Sequence, residues 1–304
     1  MSVAISHTAE VQKFFEMASG FDQSGGDTRV KTITHRVLTD IIKIIEELNI
    51  STEEFWAAVN YLNVLGSRHE AGLVVAGLGL EHYLDLRLDA EDARNGAVGG
   101  TPRTIEGPLY VAGAPLNEGF AKLDDGVDKG VRLTMAGVVR DTDGAPIPGA
   151  LVDVWHANTG GTYSYFDSSQ SEYNLRRRIV TDADGRYRFD SIVPSGYGCP
   201  PDGPTQQWLD QLGRHGQRPA HIHFFISAPA HRHLTTQINL SGEKYLYDDF
   251  AYATRDGLVA DIVFADAPEM PGGKVASINF DFALQPARNE KSEGRRSRVR
   301  ALES

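Results

Sequence analysis

Apolar residues recur at helical spacing through the first hundred positions, and the pattern then changes to short alternating runs. Residues 9–18 read as a short amphipathic helix, closed by a Gly-rich break at 20–27. Val37, Ile41, Ile44, Ile45 and Leu48 fall on one face of a second helix. Ser51 and Glu54 have the spacing of a capping box and open a third, carrying Phe55, Trp56, Val59, Leu62 and Leu65 and ending near Gly66. A further helix over about 67–88 carries Leu73, Val74, Leu78, Leu80, Tyr83 and Leu84. The first helices hold more apolar surface than a peripheral helix needs, and either packing on the rest of the chain or a subunit interface would account for it. His35, His69 and His82 lie inside these patterns without a partner at ligand spacing and read as structural.

After Gly99-Gly100, Pro and Gly punctuate runs that alternate in the manner of an all-β sandwich. Strands are expected over 132–140, 149–156, 177–181, 186–193, 219–228, 234–240, 258–264 and 275–284. Turns are expected at Asp141–Gly144 and Asp182–Gly185. The fold class is therefore mainly β with α: an N-terminal helical linker or dimerisation domain over 1–100 and a β-sandwich catalytic domain over 101–304. Residues 289–304 are charged and lose the pattern, as a mobile tail would.

Composition narrows the function. Asp and Glu outnumber Lys and Arg by 41 to 30, a net charge of −11, which argues against a nucleic-acid surface. No apolar run approaches the roughly 18 residues of a membrane span, and the N-terminus lacks a basic region followed by an apolar core. These features fit a cytoplasmic protein. The single cysteine, Cys199, excludes an intrachain disulfide and a Cys-rich zinc site. Any metal would need His, Tyr, Asp or Glu.

The candidate chemistry begins at Arg218-Pro219-Ala220-His221-Ile222-His223. On a strand, His221 and His223 share one face while Ile222 points the other way, giving half of a mononuclear metal site or a packed pair. Tyr163 and Tyr197 lie in Gly-flanked loops, where glycines on both sides of Tyr197 permit close backbone approach and unusual dihedrals. Each tyrosine alone could be a packing residue. Together with the histidines they suggest two phenols and two imidazoles. A phenol ionises near pH 10, so a phenolate at neutral pH calls for a strong Lewis acid such as Fe(III). A zinc hydrolase built on the two histidines lacks a usual third ligand, and a two-His, one-carboxylate ferrous site is not seen.

At these residues the chain resembles the intradiol ring-cleavage dioxygenase family. Pro148-Gly149-Ala150-Leu151-Val152-Asp153-Val154-Trp155-His156-Ala157-Asn158, running on to Gly161-Thr162-Tyr163, is similar to the family signature. Pro194-Ser195-Gly196-Tyr197-Gly198, the 218–223 run and 101–110 match its other motifs. The resemblance covers nearly the whole chain. It implies a ferric ion, one per subunit and with no organic cofactor, held by Tyr163, Tyr197, His221 and His223, with Tyr197 the ligand released when substrate binds. It implies catechol and O2 as substrates and cis,cis-muconate as product, in aromatic degradation. Arg218 and Gln237 match active-site residues that stabilise charge and orient substrate. Leu73, Ile105, Pro108, Leu109, Phe250 and Ala251 match pocket walls. Ala76 departs from the proline of several relatives and leaves room for a methyl substituent. The resemblance further implies a homodimer through the N-terminal helices, with a phospholipid at the junction. Methylcatechol, chlorocatechol or hydroxyquinol remain alternative substrates, and a β-sandwich binding module without metal is the alternative from another class.

Overall fold

The computed structural model describes residues 3–287, so the expected tail lies outside the described residues. Compactness divides the chain after Ser67. The first unit holds α1 (Ala9–Ala18), α2 (Thr28–Glu47) and α3 (Thr52–Ser67). Thr8 caps α1 and Asp27 caps α2 through their side-chain oxygens. The capping box at α3 forms in both directions: Ser51 N donates to Glu54 Oε2 at 2.8 Å, and Glu54 N donates to Ser51 Oγ at 3.2 Å. His35 packs against the rings of Phe15 and Phe21, the structural role its pattern suggests.

The second unit begins with two helices rather than the single one expected over 67–88. These are α4 (Ala71–Gly77) and α5 (Leu80–Arg94). Gly79 separates them with φ of 70°, a left-handed conformation that ends one helix and turns the chain into the next. Both helices belong to the sheet unit. Leu73 and Ala76 of α4 pack with Ile105, Leu209 and Phe250. Asp89 and Asp92 of α5 pair with Arg103, Arg255 and Arg232 across the sheet's edge. This is why compactness separates the units at 67 although the alternating texture begins near 100.

The sandwich follows: β1 (Leu116–Glu118), β2 (Phe120–Lys122), β3 (Arg132–Asp141), β4 (Leu151–His156), β5 (Arg176–Val180), β6 (Arg186–Ile192), β7 (Tyr197–Gly198), α6 (Pro204–Gln211), β8 (Gln217–Arg218), β9 (His221–Ser227), β10 (Leu234–Leu240), β11 (Val259–Ala260), β12 (Val263–Asp266), β13 (Lys274–Asn279) and β14 (Phe282–Leu284). One sheet runs β1-β5-β4-β9-β10-β11 and the other β12-β13-β3-β6-β2, with β14 also on β3. Two expected strands are each split. The 258–264 run changes sheets at Asp261-Ile262, so β11 pairs with β10 while β12 pairs with β13. The 275–284 run breaks at Phe280-Asp281, where the Phe280 carbonyl accepts from Tyr187 Oη at 2.7 Å.

The core lies between the sheets. Val152, Val154, Ile222, Phe224 and Ile238 of the first meet Leu133, Met135, Val139, Tyr187 and Phe189 of the second. Strand parity then assigns the alternate residues to the outer face of the first sheet. Cross-strand register lines up Arg176, Trp155, His223 and Gln237 in one row across β5, β4, β9 and β10, with His221 opposite Asn239 in a neighbouring row. That row of polar and aromatic side chains, on the face away from the core, is the floor of the site.

Candidate active site

Two β9 histidines and two tyrosines converge on this floor: Tyr163 lies in a loop as expected, whereas Tyr197 lies on a short strand and not in a loop. His221 and His223 lie with ring centroids 4.8 Å apart, and Ile222 points into the core, as the H-x-H alternation requires. Tyr163 arrives from the loop after β4, and Tyr197 from β7, which pairs with β8 opposite Arg218. Tyr163 Oη lies 3.3 Å from Tyr197 Oη and 3.4 Å from His221 Nε2, and Tyr197 Oη lies 3.3 Å from the same nitrogen.

Glycine makes these approaches possible. A Cβ on Gly161 would fall 2.7 Å from Tyr197 Cβ, and one on Gly196 would fall 2.6 Å from Arg218 O. Gly161 also has φ of 76°. The two glycines flanking Tyr197 are needed for close approach only; neither has a positive φ.

The donor set suits a metal. Nδ1 of His221 donates to Pro219 O at 2.7 Å, which leaves its Nε2 as the lone-pair nitrogen facing both phenols. His223 lies flat against Trp155, at 4.9 Å and 3° between planes, and its buried Nδ1 has no hydrogen-bond partner. Burial, then the Arg218 charge, lowers the His221 pKa to about 3. Burial and His221 hold His223 well below its usual value. Both imidazoles are thus neutral, as ligation needs. Burial, and then Tyr197, pushes the Tyr163 phenol well above its ordinary pKa, so only a cation at the site would make it a phenolate. Among the described residues no group of three or more His, Cys, Asp or Glu could hold a metal. The zinc-hydrolase and two-His, one-carboxylate alternatives therefore lack a third ligand of their usual kind, and the two phenolic oxygens are the other donors beside His221.

Arg218 occupies the wall beside the histidines. It is 5% exposed in its side chain, and its Nε and Nη2 each lie 3.1 Å from an oxygen of Asp249. Nη1 reaches His221 Nε2 at 3.0 Å, and Nη2 also donates to Gln237 Oε1 at 2.8 Å. Gln237 Nε2 donates to Asn239 Oδ1, and Asn239 Nδ2 to Thr254 Oγ1, both at 2.7 Å. Burial alone would lower the Arg218 pKa, but Asp249 and the tyrosines raise it above the ordinary value. Burial pushes the Asp249 carboxyl up, but the charge and hydrogen bonds of Arg218, helped by His221 and the Ala251 N–H, together hold it below the usual carboxylate range.

Six of the seven expected wall residues fall in two apolar clusters. Ala76, Ile105, Phe250 and Ala251 are buried in one cluster with Leu73 against it, while Leu109 packs near Trp155, Tyr163 and Phe225. Pro108 is half-buried beside Gly107, whose added Cβ would lie 3.7 Å from His223 Cε1. Sequence reasoning missed Asp249, Trp155 and Arg176. The tandem Asp248-Asp249 has no periodic signal, but Trp155 and Arg176 follow from strand register once β4 is paired with both β5 and β9.

The chain belongs to the intradiol dioxygenase family, and two phenols and two imidazoles gathered on the outer face of its sandwich fit a ring-cleaving dioxygenase. A family model described as dioxygenase matches residues 105–286, and one described as catechol dioxygenase N terminus matches 27–96. The chain is similar to catechol 1,2-dioxygenase of Acinetobacter baylyi, at 59% identity over 93% of this chain and 94% of that protein. Chlorocatechol 1,2-dioxygenase of Rhodococcus opacus is 36% identical over 81% of this chain and 94% of its own. Among solved structures, catechol 1,2-dioxygenase from Pseudomonas arvilla C-1 superposes with a TM-score of 0.96 at 61% identity, covering 99% of both chains. No helix among the described residues is long and apolar enough to cross a membrane.

Proposed function

We propose that this enzyme uses Fe(III) to cleave catechol between its two hydroxyl-bearing carbons, adding both atoms of O2 to give cis,cis-muconate. The convergence of Tyr163, Tyr197 and His221 within 3.4 Å, with His223 beside them, carries the reading. A ferric ion held by these four side chains would supply the Lewis acidity that ionises the diol and leaves the ring electron-rich toward O2. Catechol and O2 together contain every atom of muconate, so no reductant and no organic cofactor is required.

The chain's own groups divide the work. Tyr197, half-buried where Tyr163 is 3% exposed, would be the phenolate free to leave the metal and take up a substrate proton. Tyr163, fully enclosed, would remain the fixed anionic ligand. Arg218, clamped by Asp249 and Gln237, directs a guanidinium edge at the substrate oxygens and stabilises charge that develops there. Gln237 orients the same oxygens through its remaining hydrogen-bonding capacity. Leu73, Ala76, Ile105, Pro108, Leu109, Phe250 and Ala251 exclude water from the ring and set which substituents fit. The short side chain of Ala76 favours catechol and methylcatechol alike. The test is turnover on catechol, methylcatechol, chlorocatechol and hydroxyquinol, with isotopically labelled O2 to follow both oxygens. Fastest turnover on catechol, with two labelled oxygens in the product, supports the reading, whereas one labelled oxygen contradicts it.

The N-terminal unit supports a homodimer. Val30, Ile33, Val37, Ile41 and Ile44 form a stripe on α2, each 46–61% exposed, and no residue of that helix is buried. A second copy would cover this stripe, and an acyl chain of a phospholipid would fill apolar space left at the junction. A dimer mass by light scattering at micromolar concentration supports this, and a monomer mass contradicts it. The cytoplasm, where Cys199 stays reduced, is the compartment this reading implies.

A further inference from the structure

Arg176 is 1% exposed, among the largest fully buried side chains of the protein, and Asp153 attracts it with no hydrogen bond between the two. Its hydrogen bonds run to neutral oxygens: Nε to Ser164 Oγ at 2.9 Å, and Nη2 to Leu109 O at 2.9 Å and Ser164 O at 3.1 Å. Nη1 is buried and has no hydrogen-bond partner. The nearby carboxylate, Asp153, already accepts from Tyr110 Oη at 2.8 Å. Burying a guanidinium in this way is costly unless an anion compensates it. Its carbon Cζ stands 5.7 Å from the centre of the Tyr163 ring, close enough for a cation to act on the π face. Register puts Arg176 in the same cross-strand row as Trp155 and His223.

We propose that Arg176 is a positioning residue for the metal site: its buried cation lies over the Tyr163 ring, and its bonds to Ser164 and Leu109 fix that tyrosine against the substrate wall. This rests on the four-residue ferric site proposed above. In the metal-free protein Asp153 is the carboxylate that partly offsets the Arg176 charge. Tyr163 held by a metal as a phenolate would give the guanidinium a second opposite charge in a medium of low dielectric, where such an interaction is strong. A cation behind the ring also lowers the energy of the phenolate electrons. Arg176 therefore raises the energy of light absorption that moves an electron from Tyr163 to iron, and it helps retain the metal. The contact with Leu109 O ties this ligand to the pocket, so the same side chain holds both halves of the site in register.

The experiment compares wild type, Arg176→Met, Arg176→Lys and Ser164→Ala after ferric loading, reading the visible tyrosinate-to-iron band and the iron affinity by competition with a chelator. Removing the charge in Arg176→Met is expected to move the band to longer wavelength and weaken iron binding about tenfold, the equivalent of one unit of phenol ionisation. Arg176→Lys keeps the charge and is expected to restore band and affinity to near wild type. Ser164→Ala, which loses one bond and no charge, is expected to leave the band in place. Arg176→Met with a wild-type band and affinity overturns the proposal. So does a shift that is equal in Arg176→Met and Ser164→Ala, which would mean that contacts and not charge matter. If Arg176→Met does not fold, Arg176→Lys decides alone: a band kept at wild-type position supports the proposal, and a lost or displaced band overturns it. Failure of the wild type itself to develop the band would instead refute the ferric site on which the inference stands.

Discussion

Asp249→Asn is the sharpest perturbation of the site that leaves its shape intact. Asp249 and Arg218 are 1% and 5% exposed in their side chains and meet through two bonds of 3.1 Å. Removing one charge of a buried pair strands the other, at a cost of about 3–5 kcal/mol. The amide also turns an N–H toward Arg218 or, flipped, keeps only one acceptor for it. In a domain of this size each kcal/mol corresponds to about 2–4 °C, so a fall in melting temperature of roughly 10 °C is expected. The pH dependence has a definite sign. Because Asp249 is held below the usual carboxylate value, its contribution is fully present above an unfolded pKa of about 3.9 and is lost only as pH falls through its lower folded value. The gap between wild type and Asp249→Asn should therefore stay constant from about pH 5 to about pH 8 and close in acid. Urea unfolding across that range, with both proteins in the same metal state, is the assay. A loss below about 1 kcal/mol, or a gap that closes near neutrality, would refute the claim that Arg218 depends on this carboxylate.

Other perturbations test other parts of the account. Gly137→Ala should destabilise by about 1–3 kcal/mol or more in chemical denaturation, because its Cβ would collide with the Phe280 carbonyl, whose carbon would lie 2.7 Å away. Asp85 is buried with Oδ2 unpartnered, and burial raises its pKa to about 6. The raised value favours the neutral acid, so stability is greatest below the unfolded pKa and declines as pH rises through about 6. Asp85→Asn should abolish that decline and stabilise the protein at pH 7.5 by about 2–3 kcal/mol, read from melting curves at several pH values. Ala76→Val, filling space among Ile105, Phe250 and Leu73, should lower kcat/KM for methylcatechol about tenfold more than for catechol, the effect of roughly one misfitted methylene. Equal losses on both substrates would remove Ala76 from the specificity wall.

Much of this site is readable in the chain because its signals are local. The H-x-H alternation forces His221 and His223 to one face wherever the strand pairs. The Gly-rich runs around Tyr163 and Tyr197 mark segments that approach other backbone, although strain at Gly196 and Gly198 does not follow. The helix over 67–88 breaks because one glycine, Gly79, takes a left-handed conformation that helical periodicity does not register. The split of 258–264 between sheets is equally hidden, since alternation shows which residues face inward but not which sheet they join. Asp249 and Arg176 are long-range partners: the first approaches Arg218 across 31 positions and the second reaches Tyr163 only through the pairing of β4 with β5. Register, and not composition, makes them part of the site.

A visible absorption spectrum of the purified, ferric-loaded protein tests the central claim most directly. The account predicts a wine-red chromophore from tyrosinate bound to iron, moving to longer wavelength when catechol is added without oxygen. Replacement of Tyr163 or Tyr197 by Phe should weaken the chromophore, and replacement of His221 or His223 by Ala should cost the metal. A protein that stays colourless after ferric loading would contradict the Tyr163, Tyr197, His221 and His223 site and leave a metal-free β-sandwich binding module as the better description.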